Sequence, residues 1–257
     1  MKKLRFIPNV DCGLNVRETQ EGQEESRMVV GKPIIFGVRS VNLTPWSDTR
    51  KVYEILEPGC ISNGLLKRSD VILNINHSNM VTDVLGRCNN GKGTLKLSMR
   101  EGYIEAECDL PKTNAANDTL ELIKRGDISG MSFAFEDDWE DTENGVSYER
   151  TNEISEGKEV WIRHVKRIVG LYDVSIVTHP AYDQTSVGTR EQGEEMMKCI
   201  DEQVAAQNRE KEEIQKREAE EAHEREMREA EERQRIERER KMMDERRRSA
   251  RRHLNER

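Results

Sequence analysis

Three polar residues lie within or beside apolar segments, where their side chains could carry out hydrolysis together. His77 directly follows the segment VILNIN, Ser132 lies within GMSFAFE, and Asp173 interrupts LYDVSIV. A histidine can take the proton of a serine hydroxyl while that oxygen attacks a carbonyl group, and a carboxylate can orient the histidine ring. The residue types and their settings therefore permit a catalytic triad of serine, histidine and aspartate.

The orientation of the serine follows from the strand that GMSFAFE predicts. Met131 and Phe133 point to one face of such a strand, which we expect to be the core, so Ser132 points to the other face. Gly130 lets another backbone approach closely at this place. Ser129 lies nearer the bend that precedes the strand, and it is the rival nucleophile.

The histidine and the aspartate each have a plain structural interpretation beside the catalytic one. Alternation along VILNIN puts His77 on the side of Val71 and Leu73, at a strand end where the edge of the core opens onto a site. The alternative is a structural histidine at a strand edge, whose ring nitrogens are hydrogen-bonded but have no catalytic role. A carboxylate inside an apolar strand needs partners, so Asp173 is predicted to bond either to a histidine or to backbone donors of a turn.

The segments around these residues predict a domain that is mainly β. Several short apolar segments are typical of strands, and the alternation over 94–110 predicts a hairpin. Helical spacing over 114–125, with a stop at Gly126, predicts one clear helix. An acidic, loop-like segment covers 137–157. Many short strands with one helix between them indicate an α+β fold.

The chain divides into three parts: an irregular, polar segment over 1–27, the strand-rich domain over 28–190 and a charged tail over 191–257. The tail holds 18 Lys or Arg and 21 Asp or Glu, with recurrent pairs four residues apart such as Glu221 and Arg225. Such pairs each stabilise a helix slightly. Its apolar residues do not keep a heptad register. We predict a long solvated helix that self-associates weakly as a coiled coil; a disordered charged tail is the alternative.

Charge, hydropathy and cysteine spacing narrow the function classes. The formal net charge is -8, and neither the body nor the tail is basic, so no specific nucleic-acid partner is expected. The chain contains no apolar run long enough to span a bilayer and no apolar segment typical of a signal peptide, so neither a membrane location nor secretion is expected. The five cysteines are widely scattered and lack metal-site spacing. We therefore expect no metal and no cofactor.

Five ordered segments resemble the prohead (capsid maturation) serine proteases of tailed phages. The segments are YEILEPGCISNGL, INHS with VLGR, LKLSMREGYIEAECDLP, ELIKRGDISGMSFAFE and LYDVSIVTHPAY. The resemblance implies a β-barrel with flanking helices, similar to the herpesvirus capsid proteases. It also implies a catalytic set drawn from the histidine of the NH motif, the serine of the GMSF motif and an acidic residue of the strand that contains the DVS motif. These residues are His77, Ser132 and Asp173.

Two parts of the implied site stay open. The third triad position holds Asp where many relatives have the longer Glu, and related viral proteases use a second histidine there. His164 and His179 are therefore alternatives to Asp173. The donors to the developing oxyanion would be backbone N–H groups near Ser132, or an arginine such as Arg163 or Arg167.

The resemblance implies a serine endopeptidase that cleaves scaffold protein, major capsid protein and itself. It would act inside the assembling prohead in the host cytoplasm. The tail could tether the enzyme to a scaffold, or self-cleavage could remove it. One competing hypothesis is a catalytically inactive scaffold or head-assembly protein on a protease-like fold. Another is a thiol enzyme that uses Cys60 or Cys108 with His77.

Overall fold

The structure of the protein is a computed structural model that describes residues 3–6, 12–18, 25–178 and 190–255. Its strands are β1 (Lys3–Phe6), β2 (Asn15–Val16), β3 (Met28–Ile35), β4 (Arg50–Leu56), β5 (Asp70–Ile75), β6 (Val84–Asn89), β7 (Lys92–Gly93), β8 (Leu95–Arg100), β9 (Tyr103–Asp109), β10 (Gly130–Asp137), β11 (Val146–Ser155), β12 (Lys158–Val165) and β13 (Ile168–Val177). Its helices are α1 (Asn63–Arg68), α2 (Asn114–Arg125) and α3 (Arg190–Asn255), and a short 3-10 helix covers Val81–Asp83. Contacts along the chain divide it into two units, Met1–Met196 and Met197–Arg257.

The described strands form three open sheets. A six-stranded sheet has the order β1-β10-β13-β5-β6-β7, a four-stranded sheet the order β2-β3-β9-β8, and a three-stranded sheet the order β11-β12-β4. The α+β, mainly β class is therefore confirmed, but the expected β-barrel is not confirmed, because no sheet closes on itself within this part of the chain. Alternation in a sequence shows which face of a strand is buried, but it does not show which distant strand lies beside it.

The hydrophobic core lies against one face of the six-stranded sheet. Phe133 and Phe135 of β10 stack with their ring centroids 5.1 Å apart. Val174 of β13 and Leu73 of β5 belong to the same buried cluster. These apolar residues alternate along their strands, so the opposite face of β10, β13 and β5 can hold polar groups.

The helix and the hairpin predicted from local patterns are confirmed. α2 begins after Thr113, whose hydroxyl accepts from the Ala116 N–H at 3.4 Å, and it ends at Gly126 with a φ of 80°. β8 and β9 form the hairpin, which turns at Glu101 and Gly102. The caps of α2 and the turn of the hairpin each involve residues that are close together in the sequence. The sequence pattern alone was therefore enough to predict both elements.

Two segments differ from the sequence expectation. The acidic segment over 137–157 contains β11, which pairs with β12. The segment over 1–27 contains β1 and β2, which pair with β10 and β3. These strands lie at sheet edges. Only one residue of β11 is buried, so the others could stay polar and the strand has little alternating hydrophobic pattern.

The tail forms the long helix that its composition predicts. α3 has 66 residues, and its apolar side chains Ile214, Met227 and Met242 are exposed. Ion pairs one turn apart, such as Arg228 with Glu224 at 3.4 Å, run along its surface. None of the helices among the described residues has an apolar stretch that could span a membrane.

A buried ion cluster joins the three-stranded sheet to the six-stranded sheet. Arg163 of β12 is 1% exposed and bonds both to Glu54 of β4 and to Asp137 of β10. Burial lowers the pKa of Arg163, but the negative charges of Glu54 and Asp137 outweigh it and raise the pKa above its usual value. The guanidinium is thus held charged between two sheets, where it fixes the end of β10.

Removal of the buried guanidinium should strongly destabilise the fold. Arg163→Ala leaves the carboxylates of Glu54 and Asp137 buried without their counter-charge, so we expect the free energy of unfolding to fall by about 3–5 kcal/mol. Urea unfolding measures this change. Arg167→Ala is the matched control: Arg167 is 46% exposed in its pairs with Asp138 and Asp141, and its loss should cause no measurable change. An equal loss of unfolding free energy in the two variants would contradict the stabilising role of the buried Arg163 ion pairs.

Candidate active site

The three residues singled out in the sequence meet on one face of the six-stranded sheet. Ser132 lies on β10, Asp173 lies on β13, and His77 follows the last residue of β5. These three strands are consecutive neighbours in the sheet. Residues that are far apart in the chain are therefore brought together by strand pairing rather than by a loop.

His77 bonds to the other two residues through its two ring nitrogens. Its Nδ1 lies 2.6 Å from Asp173 Oδ1, and its Nε2 lies 2.7 Å from Ser132 Oγ. An ionised carboxylate can only accept, so Nδ1 carries the proton that it donates to Asp173. Nε2 is then the acceptor for the Ser132 hydroxyl, which is the tautomer that a general base requires.

The strand register places the serine and aspartate side chains on the same face. Ser132 is opposite Ser175 of β13, and Ala134 is opposite Asp173. Ser175 is in turn opposite Asn74 of β5. Because paired residues in a sheet share a face, the side chains of Ser132 and Asp173 project from the face that lies away from the stacked phenylalanines.

A β-bulge at Tyr172 turns the aspartate toward the site. Phe135 is opposite Leu171 while the adjacent Ala134 is opposite Asp173, so Tyr172 is the extra residue. Leu171 is buried in the core, and Tyr172 is exposed. Without the extra residue, Asp173 would share the core face with Leu171. The bulge therefore lets one strand bury a leucine on one side and a carboxylate on the other.

A left-handed turn brings the histidine over the same face. Asn76 and His77 have φ values of 47° and 55°, a conformation that Asn and His adopt more readily than most residues. Val71 and Leu73 lie in the core on the opposite side of the sheet. The expectation that His77 shares their side is therefore wrong. Alternation ends with β5 at Ile75, and the turn reverses the direction of the side chain.

Hydrogen bonds from β13 and β5 hold this turn in place. The His77 N–H donates to Ser175 Oγ at 2.9 Å, and the Ser175 hydroxyl donates to the Asn74 carbonyl at 3.2 Å. The Asn76 side-chain oxygen accepts from the Thr178 N–H at 3.1 Å. The backbone of the turn is thus attached to the strand that carries the aspartate.

Sequence reasoning missed Ser175 as a part of the site. It is fully buried and lies two residues after Asp173, so the alternation of β13 could have placed it on the same face. Its bond to the His77 backbone could not be anticipated, because that bond depends on the left-handed turn. Ser175 holds the backbone of His77 in place through its hydroxyl.

The alternative site residues lie elsewhere. Ser129 is exposed just before β10, and its carbonyl accepts from the Cys12 thiol at 2.9 Å. His164 has its Nδ1 2.6 Å from Glu57 Oε1 and its Nε2 3.1 Å from Glu149 Oε2, so both ring nitrogens bond to carboxylates. His179 lies outside the described residues.

Both arginines considered as oxyanion donors are engaged in ion pairs. Arg163 is enclosed by Glu54 and Asp137 between the sheets. Arg167 bonds to Asp141 at 2.7 Å and also pairs with Asp138. Backbone N–H groups near Ser132 stay the predicted donors.

The two cysteines considered as nucleophiles are buried thiols. Burial raises the pKa of Cys60 to about 12 and the pKa of Cys108 to about 11. A thiolate is the reactive form, so at neutral pH both residues are held in the unreactive form. These environments disfavour the thiol hypothesis.

The described residues contain no group of three or more His, Cys, Asp or Glu side chains that could hold a metal ion. The three site residues can transfer a proton and form a bond to carbon without one. The arrangement is therefore suited to nucleophilic attack by Ser132 on a carbonyl group.

Comparison with models of protein families identifies a related family. A sequence model described as caudovirus prohead serine protease matches residues 13–199. No curated protein and no solved structure matches the chain significantly. The matched range includes all three strands of the site together with β2, β3 and the start of α3.

Neutralising the carboxylate should test its bond to His77. In Asp173→Asn the amide donates toward Nδ1 and favours the wrong histidine tautomer, so we expect kcat for a peptide substrate to fall by about 10⁴-fold with the fold retained. Glu57→Gln is the matched control, because that carboxylate bonds to His164 instead. Full activity of Asp173→Asn, or a comparable loss in Glu57→Gln, would contradict the assignment.

Proposed function

Because the chain belongs to the caudovirus prohead serine protease family, we propose that it is a serine endopeptidase with Ser132 as nucleophile, His77 as general base and Asp173 as the orienting carboxylate. The observation that carries the proposal is the hydrogen-bond chain from Ser132 Oγ through the imidazole to Asp173 Oδ1, with both links below 2.8 Å. Such a chain provides the activation that a serine hydroxyl needs at neutral pH.

The catalytic cycle passes two protons through Nε2 of His77, and each is first accepted and then released. Ser132 Oγ bonds to the scissile carbonyl carbon as its proton moves to Nε2, and Asp173 stabilises the imidazolium that forms. The imidazolium then protonates the leaving amine as the carbon–nitrogen bond breaks. A water molecule next gives a proton to Nε2, attacks the acyl group and releases the acid, and the proton returns to Ser132.

The substrates that fit this family are the proteins of the assembling phage head. We propose that the enzyme cleaves scaffold protein, major capsid protein and itself, inside the prohead in the host cytoplasm. Family membership supports this setting. The competing hypothesis, a catalytically inactive assembly protein, shares the long helix α3 but does not require the serine and histidine to bond.

The endopeptidase proposal is tested by processing of capsid proteins in cells. In Ser132→Ala we expect cleavage of co-expressed scaffold and major capsid protein to be abolished, because the attacking oxygen is gone. The protein should stay folded, since only one atom is lost. The intact mass of the chain shows whether self-cleavage is lost as well.

The control for this test is Ser129→Ala, three residues earlier at an exposed position. It should process capsid proteins at the rate of the unmodified chain. Undiminished processing by Ser132→Ala would refute the proposal, and so would a loss that appears only in Ser129→Ala. Assembly of normal heads without any proteolysis would favour the inactive assembly protein.

We propose that the tail keeps the protease inside the shell during assembly. α3 is long, charged and exposed over the described part of 205–243, and a helix of this kind can dock along a scaffold helix through ion pairs. The exposed apolar side chains of Ile214, Met227 and Met242 provide additional contact area.

Deletion of residues 201–257, which spares the matched range 13–199 and the buried Met196, should therefore separate incorporation from catalysis. We expect the number of protease copies in each prohead to fall while cleavage of a free peptide continues, because His77, Ser132 and Asp173 all lie before the deletion. Quantitative mass spectrometry of purified proheads measures the first quantity, and a peptide assay measures the second. Unchanged incorporation would contradict the tethering role.

A further inference from the structure

The nucleophile is completely covered, although it must touch its substrate to act. Ser132 is 0% exposed, and the side chain of His77 is 7% exposed. A polypeptide is too large to reach Oγ through such a surface. Some element beside Ser132 therefore has to give way before cleavage can begin.

The two strands beside Ser132 differ in what they carry. β13 lies on one side, where it holds Asp173 and pairs with β5. Its departure would dismantle the site. β1 lies on the other side, with Phe6 opposite Ser132 in antiparallel register. β1 has only four residues and forms the edge of the sheet, so it can leave without disturbing the proton relay.

We propose that the edge of β10 that faces β1 is the substrate-binding edge, and that β1 occupies it until an extended segment of the substrate replaces it. This inference rests on the proposed endopeptidase function and adds how that site takes its substrate. The partner is a peptide segment in β conformation, which adds to the sheet through backbone hydrogen bonds.

Exchange of one strand for another is energetically balanced. The incoming segment restores the backbone hydrogen bonds that β10 loses with β1, so the exchange leaves no buried N–H or carbonyl group unpaired. A four-residue pairing contributes little stability by itself. A longer substrate strand can therefore compete with β1.

A segment in the position of β1 also lies close enough for attack. Residues directly opposite each other in an antiparallel pair have their Cα atoms about 4.5–5.5 Å apart. Attack requires a separation of about 3–3.5 Å between the reacting atoms. A peptide carbonyl opposite Ser132 therefore needs only a small displacement toward Oγ, whereas β13 on the other side is fixed by the triad.

Deletion of residues 1–6 tests whether β1 competes with substrate. An edge that is open for about one tenth of the time binds about tenfold less tightly than one that is always open. We therefore expect the deletion to raise kcat/KM for an extended peptide substrate by about tenfold or more. An unchanged or lower kcat/KM in a folded deletion variant would overturn the inference.

A reversible crosslink gives a second test that does not remove the strand. Leu4 and Ala134 are Cα partners across β1 and β10, so Leu4→Cys combined with Ala134→Cys can lock the edge. The oxidised form should lose cleavage, and reduction should restore it. Ala134→Cys alone is the control and should not respond to oxidation.

The outcomes separate this inference from the proposed function. Equal cleavage by the oxidised and reduced double variant would overturn the role of β1 and leave Ser132 as the nucleophile. Absence of cleavage by the unmodified chain, the deletion variant and the reduced variant alike would refute the endopeptidase function itself.

Discussion

The hydrogen bond between His77 and Asp173 is the interaction on which the site depends. It requires a carboxylate to be buried and aimed away from the core, and β13 meets this requirement with a bulge at Tyr172. It also requires the His77 side chain to point away from the face that alternation along β5 would give it. The left-handed turn at Asn76 and His77 produces this change of direction. Left-handed conformations are costly for most residues. Here the cost is offset by hydrogen bonds from β13 to the turn, so the same strand orients both partners.

β10 connects this site to the rest of the fold. It carries Ser132 near one end and Asp137 at the other, where the buried guanidinium of Arg163 holds it against the three-stranded sheet. Between Ser132 and Asp137, the side chains of Phe133 and Phe135 pack into the hydrophobic core. The position of Ser132 is thus fixed by apolar packing on one face and by a buried ion pair at the strand end, and neither contact involves His77 or Asp173.

Local patterns predicted the elements of this fold better than their arrangement. The bounds of α2 and the hairpin of β8 and β9 follow from caps and alternation within a few residues. The edge strand β11 was missed because few of its residues are buried, so it lacks an alternating apolar pattern although it pairs with its neighbour β12. The open sheets depend on pairing between strands that are far apart in the chain, which local patterns do not show. Within the site, the types and strands of Ser132 and Asp173 were predicted. The direction of His77 and the role of Ser175 were not, because both depend on a turn that ends the alternation.

Covalent labelling tests most directly whether His77 activates Ser132. Diisopropyl fluorophosphate forms a stable adduct with activated serine hydroxyls, and peptide mapping by mass spectrometry identifies the modified residue. The account predicts an adduct on Ser132 in the unmodified chain and its loss in His77→Ala. An adduct on Ser129, or labelling of Ser132 at the same rate without the imidazole, would contradict it.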